Sequence, residues 1–252
     1  MPFTPTHVVA VLPFSYWAGR RLAFSALAIG SMIPDLPLFI PFLQLDYAQT
    51  HSITGIFAAC LPAGFLTFLW FELFAKRPLF ALCPRWVRQR LVPYEQPAVT
   101  ASFGSVIMAA FSIVIGAATH VFWDSFTHYG RWGYRLFPRM NRIIFENGDY
   151  SLELYKAIQH GSTVVGLPLL LVVAALWLRR QQAQLLEDRV SLTREQLVIW
   201  LLVLFVLPNV LALAYCATQS FESLGQFAFT AVTTAGFVFL LVLNLYAFWF
   251  RR

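Results

Sequence analysis

Long apolar runs separated by shorter polar stretches dominate the chain. Five runs reach the roughly 20 residues that a helix needs to cross the hydrocarbon core of a membrane. These runs are 52–75, 99–123, 159–178, 196–216 and 226–249. The polar stretches long enough to be loops are 76–98, 125–158 and 179–195. The pattern therefore predicts a polytopic bundle of transmembrane helices.

Two further apolar segments precede these five. Residues 22–43 are equally apolar but contain Asp35 and several prolines, which predicts a kinked or broken span. Residues 5–19 are short, and they either cross most of the core with little tilt or re-enter the membrane beside the others. We predict an all-α membrane bundle of six to seven hydrophobic segments, some of them kinked or re-entrant.

The bundle is expected to form one integral membrane domain over residues 1–252. Within it we distinguish a region of candidate metal ligands, 1–165, and a C-terminal helical pair, 196–249. Composition agrees with a membrane protein: 59% of the residues are hydrophobic, 12% are charged and the mean hydropathy is +0.66. Soluble domains carry about 25% charged residues, so an ordinary soluble domain is excluded.

The basic excess carries information about topology. The 18 Lys and Arg against 12 Asp and Glu give a net charge of +6, and most basic residues lie beside the predicted spans, which argues against a nucleic-acid partner. Alternation of the spans places 13 basic residues on one side: Arg20, Arg21, Lys76, Arg77, Arg85, Arg88, Arg90, Arg179, Arg180, Arg189, Arg194, Arg251 and Arg252. Since cytoplasmic loops collect such residues, we expect the N-terminus outside and the C-terminus in the cytoplasm. We expect no removed signal peptide, because the N-terminal residues have no basic n-region and no clear cleavage site.

Three acidic residues lie within the predicted spans or at their ends. Glu72 is one turn before Lys76, and a snorkelling ion pair accounts for it. Asp124 lies at the end of the 99–123 run. Asp35 has no partner in the sequence, and an aspartate at membrane depth costs on the order of 2.5–3.5 kcal/mol. Asp35 is therefore expected to be paired, bound to a metal or exposed to a polar cavity.

The predicted topology places all five histidines on the outer side: His7, His51, His120, His128 and His160. His120, Asp124 and His128 are spaced i, i+4, i+8, which places them on one face of a helix. Nitrogen and oxygen donors at this spacing suit a divalent cation such as zinc. The cysteines show no ligand spacing.

Each histidine also has a structural interpretation. His7 and His51 are compatible with helix-terminal or interfacial positions, and His128 with a loop that follows a frayed helix. His160 precedes a Gly-Ser pair, so close packing of helices competes with metal binding there.

Several motifs resemble a family of uncharacterised bacterial multispanning membrane proteins, a domain-of-unknown-function family. They are MPFTPTHVVAVLP, LAIGSMIPD, THSITG, ATHVFWDSFTH and IQHGSTVVG, over roughly the first two-thirds of the chain. Their order is also similar to the membrane-bound metal-dependent hydrolases and, distantly, to the zinc-dependent phospholipase C and P1-type nuclease superfamily. A bacterial inner-membrane location is implied.

The resemblance implies a metal site formed by His7, Asp35, His51, His120 and Asp124. The soluble superfamily also uses a processed N-terminus and a later HxxxE, whereas His160 here is followed by Val164 at the matching position. We therefore expect one or two ions rather than three, with His128 and His160 as candidate replacement ligands.

Three hypotheses of function follow. The first is a metal-dependent hydrolase that acts on a lipid or cell-envelope phosphoester at the outer face, with Asp35 or Asp124 bridging metals or acting as base. In it Arg131 and Arg135 hold the phosphate or headgroup, although a solvated loop that contacts headgroups nonspecifically is the favoured explanation of these two arginines. The second is an ion-conducting or ion-sensing protein, and the third is a closed structural metal site. Membrane lipid is the expected partner in each case.

Overall fold

The computed structural model describes residues 3–18, 22–40, 42, 45–100, 102–148, 150–186 and 192–251. Of the described residues 78% are helical, and they form a single two-stranded sheet, which agrees with the predicted all-α class. Within this part of the chain five helices are long and apolar enough to cross a membrane: Ile53–Ala81, Phe103–Thr127, Leu154–Arg180, Arg194–Cys216 and Leu224–Phe250. They overlap the five runs that the sequence predicts to cross the membrane.

The two N-terminal segments are short. The 22–43 run is broken, as its prolines predicted, into the helix Phe24–Gly30, the 3-10 turn Ile33–Asp35 and the turn Leu36–Phe39. A 3-10 turn at Thr4–His7 leads into the helix Val8–Ala18, whose 11 residues span about 16 Å. That is about half of the hydrocarbon thickness, so crossing or re-entry of this segment stays a prediction.

The chain folds as two compact units. The first comprises Met1–Leu36, Leu45–Phe68 and Ala98–Arg179, and the second comprises Pro37–Gln44, Leu69–Pro97 and Arg180–Arg252. The expected single membrane domain therefore stays a prediction. Arg20, Arg21, Arg189 and Arg252, on which the topology partly depends, lie outside the described residues.

Within the described residues, three π-helical turns interrupt the long helices, and a proline that follows each one accounts for it. They are Ile56–Cys60, Phe71–Ala75 and Leu202–Val206. Pro62, Pro78 and Pro208 follow them, and the carbonyl four residues before each proline lies within the turn. Because a proline ring clashes with that carbonyl and donates no hydrogen bond, the helix widens locally instead of breaking.

The second unit has a core in which Tyr246 is fully buried and donates its hydroxyl to the Pro78 carbonyl, 2.9 Å away. The predicted Glu72–Lys76 pair is confirmed as an ion pair, but both side chains are buried instead of snorkelling. Lys76 Nζ also donates to the Gln96 carbonyl at 2.6 Å, which ties the following polar segment to the helix. The short elements of that segment are Arg85–Leu91 and Val92–Tyr94.

A β-hairpin lies where only a loop was expected. Strand Ile143–Asn147 pairs antiparallel with Tyr150–Glu153, and Asn147 pairs with Tyr150. Gly148 has a φ of 58°, which the tight turn requires and glycine adopts without strain. Gly-Asp at positions 148–149, between two runs that contain apolar residues, is the sequence signal for this hairpin. The helix Trp132–Leu136 and the 3-10 turn Pro138–Asn141 precede it.

Candidate metal centre

Four side chains of the first unit meet at one buried point: Asp35, His51, His120 and Asp124. One potential ligand atom from each lies within 4.8 Å of all the others. The side chains come from three separate parts of the sequence, and all four are buried. The group could therefore hold a metal ion.

The helix Phe103–Thr127 supplies two of the four residues. His120 and Asp124 are one turn apart on its buried face. Small residues on the same face allow a second helix, Phe24–Gly30, to approach closely. A Cβ at Gly116 would lie 2.4 Å from the Leu27 carbonyl oxygen, and one at Gly30 would lie 2.4 Å from the Ile113 carbonyl oxygen. This contact between backbones brings the Gly30 end of the short helix beside His120.

Asp35 reaches the group because the chain turns directly after that helix, at Ile33–Asp35. Its side chain is fully buried. Thr4 Oγ1 donates a hydrogen bond of 2.7 Å to Asp35 Oδ2, which leaves Oδ1 directed at the two histidines.

His51 ends the helical turn Tyr47–Thr50, which begins with a cap in which the Asp46 carboxylate accepts from the Ala48 N–H. The hydroxyl of Thr50 donates to the Pro34 carbonyl at 2.8 Å. This bond ties the turn to the residue that precedes Asp35. Two ligands that are distant in sequence are thereby held together through the backbone.

Hydrogen bonds on the far side of the rings fix the proton positions of both histidines. His120 Nδ1 lies 2.7 Å from the Ser31 carbonyl oxygen, and His51 Nδ1 lies 2.9 Å from the Tyr47 carbonyl oxygen. A carbonyl oxygen only accepts, so each Nδ1 carries the proton. In the neutral rings each Nε2 therefore presents a lone pair to the group. Backbone carbonyls orient metal-binding histidines in the same way.

The distances within the group fall in a narrow range. The Nε2 atoms of His51 and His120 are 3.2 Å apart. Asp35 Oδ1 is 3.5 Å from His51 Nε2 and 3.6 Å from His120 Nε2, and Asp124 Oδ2 is 3.5 Å from each. Four electron-rich atoms thus converge with no hydrogen-bond donor between them.

His7 lies against this group as a fifth potential metal ligand. Its ring stacks on His120 with centroids 3.7 Å apart, and its Nε2 is 3.5 Å from Asp124 Oδ1. Within the described part of the chain, four buried atoms at this point have no hydrogen-bond partner: His7 Nδ1, His7 Nε2, Asp35 Oδ1 and Asp124 Oδ2. Buried polar atoms without partners are costly, and a cation could satisfy those that converge here.

His128 is adjacent to the group but is already satisfied. The helix ends at Thr127, and His128 has an extended backbone, so the predicted single helical face for His120, Asp124 and His128 is wrong. Its Nδ1 lies 3.1 Å from the Asp124 carbonyl oxygen, and its Nε2 accepts from the Gln159 amide at 3.2 Å. Burial lowers the pKa of His128, which keeps the ring neutral.

The remaining candidates are His160, Arg131 and Arg135, and they differ in exposure and in their contacts with the group. His160 is exposed, because the buried face of its helix at this level carries Gln159 instead. Arg131 is partly exposed and adjacent: its Nη1 donates to the His51 carbonyl at 3.3 Å, and its guanidinium lies 5.6 Å from the centroid of the Tyr47 ring. Burial raises the pKa of Tyr47, so that phenol stays neutral. Arg135 is exposed.

Four residues that build the site were not predicted from the sequence: Thr4, Ser31, Tyr47 and Gln159. Ser31 and Tyr47 act through backbone carbonyls, for which side-chain identity gives no signal. Thr4 and Gln159 are polar residues next to apolar runs, three and one positions from a histidine, and this proximity is the only signal that marks them.

The family model described as a domain of unknown function, DUF4184, matches residues 1–247. The chain belongs to this family, which confirms the resemblance to an uncharacterised domain family and extends it beyond the first two-thirds of the chain. No curated protein and no solved structure matches the chain. The similarity to hydrolases and nucleases stays a prediction.

Proposed function

We propose that this DUF4184 member is a metal-dependent hydrolase of the membrane that acts on a phosphoester of a lipid or cell-envelope intermediate. One observation carries the proposal: two histidine lone pairs and two carboxylate oxygens without partners converge in the protein interior. Such a set is unfavourable without a cation and complete with one.

Zinc fits the spacing of the donors. Ligands that surround a tetrahedral zinc ion at about 2.0–2.1 Å lie about 3.3–3.4 Å from one another. Five of the six distances between the four ligand atoms run from 3.2 to 3.6 Å, and all six are within 4.8 Å. Asp35, His51, His120 and Asp124 would hold this ion, and His7 is the nearest further donor for a second one.

The type of donor favours catalysis over a structural role. Structural zinc sites are rich in cysteine, whereas catalytic sites use histidines and carboxylates. The described cysteines lie outside this group, and Cys60 instead donates its thiol to the Thr50 carbonyl. For catalysis zinc would need to accept water beside these four ligands, and zinc lowers the pKa of a coordinated water to about 7 and polarises a phosphoryl oxygen.

The chain's own residues have distinct roles in this proposal. Thr4 occupies Asp35 Oδ2, so Asp35 is held as a fixed ligand. Asp124 Oδ1 faces His7 at 3.5 Å, and we assign Asp124 as the carboxylate that accepts a proton from the attacking water. Arg131, partly exposed beside His51, orients the anionic substrate. Arg135 lies further out, where it meets the lipid headgroup.

The cellular placement belongs to the same proposal. Five apolar helices could span a membrane. We propose a multi-pass protein of the bacterial inner membrane with its N-terminus outside and its C-terminus in the cytoplasm. The metal centre would then be near the outer face.

A closed structural metal site is the second candidate, because burial of all four ligands favours it. A structural site keeps four protein ligands and no open position for water. Both candidates require metal, so stoichiometric metal alone does not separate them.

The test combines metal analysis with an assay of phosphodiester and phosphomonoester lipids on the purified full chain. For a hydrolase, zinc is stoichiometric, chelation abolishes turnover and zinc restores it. Asp124→Asn loses turnover, whereas the exposed Glu146→Gln serves as the matched control and retains it. Zinc without turnover, together with a chelation-dependent loss of thermal stability, would favour the structural role. Absence of stoichiometric metal would overturn both candidates.

A further inference from the structure

We propose that residues 129–147, here called the interfacial segment, lie in the headgroup region of the membrane and bind anionic phospholipids. The segment connects the candidate spans Phe103–Thr127 and Leu154–Arg180, so it begins and ends at the same membrane face. This inference rests on those spans; it shares Arg131 and Arg135 with the proposed hydrolase, but it does not require hydrolysis.

The segment folds back along the first of these spans. Trp132 packs against Phe122 and Phe126, with ring centroids 5.9 and 5.5 Å apart. Gly133 permits this contact, because a Cβ there would lie 2.3 Å from Ser125 Oγ. Phe122 precedes the end of the helix by five residues, or about 8 Å. The segment therefore returns to a level below the end of the span, which is the depth of the interface.

Large apolar side chains on the segment remain exposed at this level. They are Tyr129, Trp132, Leu136, Phe137, Ile143, Ile144 and Phe145. Consecutive strand residues point to opposite faces, so exposure of Ile143 and Ile144 means that apolar side chains are exposed on both faces of the strand. A lone two-stranded ribbon with that composition is marginal in water. Aromatic and apolar side chains at the end of a span are typical of the membrane interface.

The charge of the segment indicates which lipids it meets. The segment includes four arginines, all within residues 129–142, and one acidic residue, Glu146. Arg135, Arg139 and Arg142 are exposed, and among the described residues none of these three forms an ion pair. A guanidinium at headgroup depth binds phosphate oxygens in bidentate fashion. The surface therefore fits anionic phospholipids embedded in a bilayer.

A depth measurement tests the position of the segment. Ile144→Cys and the control Leu185→Cys are each spin-labelled in the full chain, after the three native cysteines are replaced by alanine, and reconstituted in vesicles. We expect the label at 144 to collide with oxygen and to be shielded from a water-soluble nickel chelate, with the reverse at 185. Exposure of the label at 144 to the nickel chelate would overturn the proposal. Shielding of this label from both relaxation agents would also overturn it and would indicate a contact between copies of the chain. Quenching of wild-type tryptophan by brominated lipid, reduced in Trp132→Phe, repeats the test without cysteine substitutions.

A lipid titration tests the charge. In nanodiscs, phosphatidylglycerol is expected to raise the thermal midpoint of the wild type above its value in phosphatidylcholine. The rise should be lost when Arg135, Arg139 and Arg142 are changed to Gln. It should persist when the exposed Arg179, Arg180 and Arg194 are changed to Gln. An unchanged rise in the first variant, or an equal rise with inorganic phosphate in phosphatidylcholine, would overturn the proposal.

Discussion

The Nε2 atoms of His51 and His120 face each other across 3.2 Å, although the opposite nitrogen of each ring donates to a backbone carbonyl. Two lone pairs at that distance repel unless a cation lies between them. Carboxylate oxygens of Asp35 and Asp124 complete the surroundings. The proposed metal centre rests on this relationship, and the predictions below test the groups that create it.

Removal of one histidine of the pair should remove the metal. His120→Ala eliminates a donor and leaves the Ser31 carbonyl without its partner, so we expect substoichiometric zinc in the purified protein. His160→Ala is the matched control, because His160 is exposed and lies outside the group. Elemental analysis of both variants measures the difference. Equal loss from both would contradict the ligand set.

Thr4 should tune the site without touching the ion. Its hydroxyl donates to Asp35 Oδ2 at 2.7 Å, and loss of such an outer hydrogen bond lowers metal affinity by about 10–100-fold. We expect that reduction for Thr4→Val in a competition titration against a chelating dye. Thr6→Val is the control, since Thr6 is also buried but donates to the Phe3 carbonyl. An affinity equal to that of the wild type in Thr4→Val would refute the role of this bond.

The sequence predicts the spans well because the cost of burying charge in hydrocarbon is a local property of each segment. Prolines 34, 37 and 41 likewise mark the break near Asp35. The hairpin is not predicted, although Gly148-Asp149 in the sequence indicates it, because the stretch between two spans is polar enough to be a loop.

The candidate site divides along similar lines. His120 and Asp124 share a helix, so their spacing alone places them together. The meeting of Asp35 and His51 depends on the Thr50 to Pro34 bond and on the close approach of helices at Gly116, neither of which spacing encodes. The helix ends at Thr127, one residue before His128, and the spacing of the three residues does not mark that end. Extrapolation of the helical period therefore failed at His128.

Removal of one partner of the buried ion pair in the second unit should destabilise the protein much more than removal of both partners. Lys76→Met leaves the Glu72 carboxylate buried without its cation, which we expect to cost about 3–5 kcal/mol in the free energy of unfolding. The double change Glu72→Leu with Lys76→Met should recover much of that loss. Denaturation in mild detergent measures both.

Lys156→Met is the control for that experiment. Its partner Glu153 is 2.9 Å away, but both side chains are partly exposed, so the expected cost is about 0–1 kcal/mol. Comparable losses at Lys76 and Lys156 would show that burial does not govern the effect.

Gly116 should couple helix packing to metal binding. The added methyl group of Gly116→Ala would lie 2.4 Å from the Leu27 carbonyl oxygen and 2.6 Å from the Ser31 nitrogen, and both contacts are with backbone that cannot rotate away. Separation of the helices would cost about 1–3 kcal/mol and move the Ser31 carbonyl from His120. We therefore expect a lower thermal midpoint and weaker zinc binding together.

Gly104→Ala in the same helix separates this effect from a change in helix propensity. A Cβ at Gly104 would meet nothing within 4 Å, so the substitution should leave zinc binding unchanged and should not lower the midpoint. If Gly116→Ala lowered the midpoint but retained wild-type zinc affinity, the Ser31 carbonyl would not be what orients His120. If both variants behaved alike, the close contact of the two helices would have no part in building the metal centre.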